Sequence, residues 1–363
     1  MIVGICLFLL FLLSCIVFPL QPSFFETPKI IGAELSVDIL LFLWIILKKN
    51  TDINFKKAVP FLLVFILTVV DLIFLQTSVT LFGNPFRLQG ILLLWHLLLF
   101  ALISSTISLP RFTWIIAFVS CLLLSLSLLF FGKNDAGRFV GFLGDPNMFA
   151  AAVIFVWPFL FFTKKIYRWV QISSIVFVII SLIVTSSRSG LIAFLLQLLF
   201  LGLLYSKKVS IHISFFICIA FMAGSILLPF FDKGRIWESR SEIWQTSFQA
   251  GFKSPVIGSG YGNVEDAIGR EARTLENNLR YEYVDSSHNI LLDWWIQGGV
   301  IGVLLFVWLV CQSSREFIQE KNIRECIVLM GILTCLLFNP ASIVTLVQFW
   351  WLLGQGIKPL SLT

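Results

Sequence analysis

Apolar runs of about 20 residues, long enough to cross a bilayer, recur along the chain between short clusters of Lys, Arg, Pro and Gly. Against that punctuation the hydropathy pattern predicts twelve crossings, at 1–20, 30–47, 58–75, 90–109, 112–131, 147–163, 169–185, 190–205, 210–231, 289–311, 325–338 and 341–356. The last two are short and are also readable as one re-entrant pair. Residues 1–20 lack the basic flank of a signal peptide and are read as a plain first membrane helix. One long stretch, 232–288, is polar. The expected organisation is therefore an all-α polytopic membrane protein, with helices over 1–231, a large helical loop over 232–288, and C-terminal crossings over 289–363.

Composition narrows the function. Of 363 residues, 58% are hydrophobic and 13% charged, against about 25% charged in a soluble domain, so a water-soluble enzyme is excluded. The net charge of +6 is spread between apolar segments, with no basic run longer than two residues, which argues for topology and against nucleic acid. With the N-terminus inside, fourteen Lys and Arg residues fall in the inner segments. Only Lys29, Arg87, Lys133, Arg138 and Arg188 fall in the short outer ones. The positive-inside rule then gives an N-in, C-in protein whose long polar loop lies outside. The seven cysteines sit in or beside apolar segments without a CxxC pair, so neither a disulfide framework nor a zinc site is expected.

Within the loop, Ile236, Trp237, Ile243, Trp244 and Phe248 recur at helical spacing, as in an amphipathic helix lying in the interface with its Trp rings at headgroup level. Val264, Ile268, Leu275 and Leu279 share a face in a second such helix. Between the two, Gly251, Pro255, Gly258, Gly260 and Gly262 mark a tight connector.

Several polar residues stand out against this background. Arg240 lies on the aromatic face of its helix, opposite Glu238 and Glu242. Its planar fork suits a phosphate or carboxylate at the membrane surface, although an arginine snorkelling to lipid phosphate would take the same place. Arg188, in TSSRSG (185–190), begins a helix whose free N–H groups favour an anion, or else it anchors a helix end. His288, in VDSSHN, sits where water meets lipid, with Ser286 or Ser287 as candidate caps. A neutral imidazole there can take a proton, or the ring has no duty. His96 and His212 are isolated in apolar helices and read as packing residues. Arg138 and GFLGDPN (141–147) form another junction, where Asp145 or Asn147 can cap and Pro146 can open the helix. Arg87 holds a similar place in NPFRLQG. Glu34, Asp38 and Asp71 are shallow carboxylates, readable as acid or base groups or as polar glue.

In this order, TSSRSG ahead of an apolar helix, ESRSEIW with Arg240 and Trp244, SPVIGSGYGN, and SSHN followed by a Gly-Gly helix resemble the O-antigen ligase and O-antigen polymerase superfamily of bacterial membrane glycosyltransferases. FRLQG and the Arg138 to Asn147 segment add to the resemblance, which spans roughly residues 87–303. It implies a GT-C-like helical fold in the bacterial inner (plasma) membrane, with the active site on the outer face. The implied reaction is a metal-independent, inverting transfer of a glycan from a polyprenyl-diphosphate carrier to a glycan or glycolipid acceptor, with no cofactor. By motif, Arg188 and Arg240 would hold the diphosphate and His288 would assist the acceptor hydroxyl or the phosphate. Arg138, Arg87 and Trp244 are expected beside them in binding substrate. Ligase or polymerase is the favoured branch, with a protein O-oligosaccharyltransferase as the alternative within the superfamily. A transporter or flippase of lipid-linked glycans is the rival class. Such proteins place their sites near the midplane, whereas the ionisable residues here crowd one boundary.

Overall fold

The computed structural model describes residues 26–47, 55–75, 77–107, 113–130, 132–134, 137–162, 168–206, 209–225 and 240–357. The expected first crossing, together with Ile236, Trp237 and Glu238, lies outside the described residues. The rest is helical: α1 Glu26–Leu47, α2 Phe55–Leu75, α3 Ser78–Phe82, α4 Ile91–Ser105, α5 Thr113–Phe130, α6 Pro146–Phe161, α7 Arg168–Thr185, α8 Arg188–Tyr205, α9 Ile211–Ser225, α10 Arg240–Gly251, α11 Val264–Thr274, α12 Ile290–Gln319, α13 Ile323–Phe338 and α14 Ile343–Gln355.

Among the described residues, α2, α7, α8 and α12 are long and apolar enough to cross a membrane, while α4, α6, α9 and α14 are apolar but shorter. At about 1.5 Å per residue, the 15 residues of α4 fall short of the roughly 30 Å hydrocarbon layer. The structure thus supports an all-helical membrane protein, and its full-length apolar spans are fewer than the twelve expected crossings.

The apolar pattern also sorts helices by depth in the protein. α6, α13 and α14 are apolar around their whole circumference and are buried nearly throughout, so they form the centre of the bundle. α13 packs on α8, α6 and α12, and α14 packs on α4 and α6. Helices at the periphery turn large apolar side chains outward, among them Phe42, Phe74, Ile183 and Leu304, as a lipid-facing surface requires.

α12 is broken by Gly299, whose φ of 58° and ψ of −154° leave the helical region. The glycine-rich connector satisfies the groups this break releases. Ser259 N donates to Ile296 O at 2.7 Å and Gly260 N to Gln297 O at 3.0 Å, while Val300 N donates to Pro255 O at 2.8 Å. Irregular backbone at membrane depth requires such internal partners. Gly258 has a positive φ, and a Cβ on it would lie 2.2 Å from Gln297 O, so the approach needs glycine. Asp71, a candidate acid or base in the sequence, accepts from Tyr261 N at 3.3 Å and so anchors the connector to α2.

The two loop helices depart from an interfacial picture. Trp244 is 3% exposed and lies 6.0 Å from the Phe338 ring of α13, so its ring is inside the protein rather than at headgroup level; Phe248 is the exposed member of that face, at 51%. In α11, Val264 and Ile268 are buried, but Leu275 follows the helix end and is 46% exposed. Leu279 is buried from a separate 3-10 turn, Asn278–Tyr281.

Candidate active site

At the end of the bundle that carries the connector, four polar junctions meet. Asp145 caps α6, accepting from Asn147 N at 2.7 Å and Met148 N at 3.0 Å, with Pro146 in the first turn. The Asn147 side chain is left to serve other residues. Its Oδ1 accepts from Arg138 Nη2 at 2.9 Å and from Ser187 Oγ at 3.0 Å, and Arg138 Nε donates to Thr185 O at 2.9 Å. Ser187 lies 3.2 Å from Ser189, which accepts from Asn339 Nδ2 at 2.6 Å. Asn339 Oδ1 in turn accepts from Arg240 Nη2 at 3.5 Å, the longest contact in the series. One chain of side chains therefore joins Arg138, the TSSRSG motif and Arg240. Arg240 is 9% exposed and Ser187 and Ser189 are buried, whereas Arg188 between those serines is exposed at the start of α8.

The second half of the site is the turn that carries His288. Arg87 Nε donates to Asp285 Oδ2 at 2.5 Å, and Arg87 Nη1 donates to Ala341 O at 3.2 Å. Ser287 and Ser286 do not cap α12; Asn289 does, accepting from Leu291 N and Leu292 N. The serines instead bind the carboxylate of Asp293, one turn into the helix. His288 sits between these anchors with φ 57°. Its Nδ1 is buried and has no hydrogen-bond partner among the described residues. Burial, and after it the charge of Arg240, push the imidazole down to about 4, with Asp285 pulling the other way and Arg87 adding to the depression. The ring is therefore neutral near pH 7, and both guanidinium groups act on it electrostatically.

A cavity of about 50 Å³ lies beside these elements, lined among others by Arg87, Asn147, Asn339 and Ser342. Arg87 thus reaches it directly, while Arg138 and Arg240 reach its lining asparagines. Trp244 does not line it; its packing on Phe338 seats the first turn of α10 and so carries Arg240.

Other residues join the site without a signal in the hydropathy pattern. Lys29, counted above among outer loop cations, is buried and donates to Leu143 O at 2.8 Å. Glu26 accepts from Ile343 N at 2.8 Å, at the start of α14. Asn339 could have been noticed as the polar break, with Pro340, between two short apolar runs. His96 is not isolated either, since its Nε2 lies 3.3 Å from Asp38.

This arrangement has known relatives. Residues 173–307 match the model of the O-antigen ligase family. The chain is also 25% identical over 213 residues to a ComP-specific O-oligosaccharyltransferase of Acinetobacter baylyi (strain ATCC 33305 / BD413 / ADP1). That match covers 53% of this chain and 38% of the relative, so the chain spans well under half of its length. Both findings support a likeness to the O-antigen ligase superfamily, and the family match falls on the segment that holds Arg188, Arg240 and His288.

Proposed function

We propose that the protein transfers a glycan from a polyprenyl-diphosphate carrier to an acceptor hydroxyl at the outer face of the bacterial plasma membrane, inverting the anomeric carbon. The observation that carries this reading is the arginine series. Arg138 and Arg240 rest on the amide oxygens of Asn147 and Asn339 beside a cavity that Arg87 lines. A guanidinium that donates to an amide oxygen donates more strongly to a phosphate oxygen, and Arg188 adds an exposed cation at a helix N-terminus. As the acceptor oxygen attacks the anomeric carbon, the bond to the diphosphate breaks and its electron pair stays on the leaving phosphate. Fixed cations in a partly dry site stabilise that charge. The acceptor proton passes to the neutral His288. Bound diphosphate offsets the repulsion that Arg240 and Arg87 exert on the ring, so donor binding makes the base stronger.

The test is release of polyprenyl diphosphate from an extracted lipid-linked glycan pool by the protein in lipid, wild type against His288→Ala. A loss of about 10² to 10⁴ in rate is expected. No release by the wild type from a verified donor and acceptor pool would move the assignment to transport. A protein acceptor is the second reading, favoured by the oligosaccharyltransferase relative; transfer to a serine-bearing protein in place of a glycan or glycolipid would establish it. A reporter fused at residue 260 should behave as external, and a cytoplasmic signal would overturn the orientation.

A further inference from the structure

His288 holds a backbone conformation that a side chain with Cβ adopts reluctantly. Its φ of 57° lies in the left-handed region, and a residue stays there only when its surroundings over-determine it. Asp293 is the main source of that constraint. Its Oδ1 accepts from Ser287 N at 2.9 Å and from Ser287 Oγ at 2.6 Å, and its Oδ2 accepts from Ser286 Oγ at 3.0 Å. Ser286 Oγ in turn accepts from His288 N at 3.1 Å, and Ser287 Oγ accepts from Asn289 N at 3.2 Å. One buried carboxylate thus holds the two residues before the histidine and, through the Ser287 hydroxyl, touches Asn289 after it.

Asp293 is itself on a fixed mount. It lies in the part of α12 that precedes the Gly299 break, and the connector binds the carbonyls of Ile296 and Gln297. One residue further up the turn, Arg87 fixes Asp285. The turn is therefore clamped from two directions, and Asp293 supplies most of its hydrogen bonds without touching the ring.

We propose that Asp293 is a positioning residue for His288: by holding Ser286 and Ser287 it sets the backbone from which the imidazole is aimed at the reacting atoms. This rests on the transferase reading and on His288 acting in it. A carboxylate suits the task because it accepts several bonds at once and donates none; the Ser287 hydroxyl has Asn289 O as a second acceptor at 2.7 Å, so the backbone bond from Ser287 N is the fixed part of the hold.

A double-mutant cycle with His288→Ala, read as polyprenyl diphosphate release from the extracted lipid-linked glycan pool, separates positioning from mere stability. Asp293→Ala should slow release by about 10²-fold, the scale of a misplacement of about 1 Å. Asp293→Asn should lose less, because its oxygen still accepts from Ser287. In the His288→Ala background, Asp293→Ala should change the rate by no more than about threefold, since the group it positions is gone. Losses that multiply in the double variant would show that Asp293 acts independently, and would overturn the proposal. A wild-type rate for Asp293→Ala beside an inactive His288→Ala would overturn it and leave the transferase reading standing. A wild-type rate for His288→Ala would remove both. If Asp293→Ala fails to accumulate in the membrane, Ser287→Ala carries the same cycle, removing the 2.6 Å bond and leaving the carboxylate in place.

Discussion

Arg138 and Arg240 rest on amide oxygens, whereas the turn that carries His288 is tied to two carboxylates, Asp285 and Asp293. Arg240 and Arg87 act electrostatically on His288, and on the proposed reading the two regions answer differently to a charged ligand. Each of these arginine contacts involves a charged guanidinium, for which a hydrogen bond contributes about 1.5 to 3 kcal/mol net, but only a carboxylate partner adds an opposite charge. Arg240 meets its amide at 3.5 Å, while Arg87 meets its carboxylate at 2.5 Å. The Arg87–Asp285 pair is partly buried, and removing one member of such a pair leaves the other charge uncompensated, so the histidine turn keeps its partners. The arginine side can exchange an amide oxygen for a phosphate oxygen and gain. On the proposed reading, the site combines a responsive wall that binds charge with a rigid wall that aims a base.

Within the responsive wall, the largest effect should come from Arg240. Arg240→Ala is expected to lower the rate of donor release by about 10² to 10³, as for removal of a single donor from a preorganised charge-stabilising site. Arg240→Lys should restore part of this, since an ammonium supplies charge without the planar fork. Steady-state release in lipid measures both, and a wild-type rate for Arg240→Ala would remove Arg240 from the chemistry.

A smaller effect tests exchangeability itself. Asn339→Asp turns the responsive wall into a copy of the rigid one, because a carboxylate would hold Arg240 as Asp285 holds Arg87. Donor KM should rise by about tenfold, the equivalent of about 1.4 kcal/mol. Asn339→Ala should leave KM nearer the wild-type value, since it removes the competitor and adds no charge. A fall in KM for Asn339→Asp would show that the amide is no stand-in for phosphate.

Much of the rigid frame was legible in the sequence. The apolar runs placed α2, α7 and α8 to within a few residues, because length and hydropathy decide such helices locally. Asp145, Pro146, TSSRSG and SSHN stood out because polar groups at apolar boundaries are conspicuous. The partners did not. Asn339 joins Arg240 and Ser189 across 99 and 150 residues, separations that tertiary packing sets and periodicity does not encode. The same limit explains Trp244: helical spacing gives it an apolar face, but whether lipid or α13 covers that face depends on the neighbouring helix. Asp293 is one polar position early in an apolar helix, and its hold on the preceding serines is visible only in the folded turn.

The smallest effect joins the two walls through proton affinity. In the donor-free enzyme, burial and the two guanidinium groups keep His288 down at about 4, and kcat/KM reports the free enzyme. Its acid limb should therefore fall near pH 4, with activity lost as the ring is protonated. The kcat profile reports the donor complex, in which anionic diphosphate favours the imidazolium and raises the pKa. Its acid limb should lie at higher pH, by at least about one unit. Arg240→Gln should move the kcat/KM limb in the same direction, because it removes a cation that disfavours protonation. Coincident limbs in kcat and kcat/KM would mean that the diphosphate binds out of electrostatic reach of His288, and the responsive and rigid walls would then belong to separate sites.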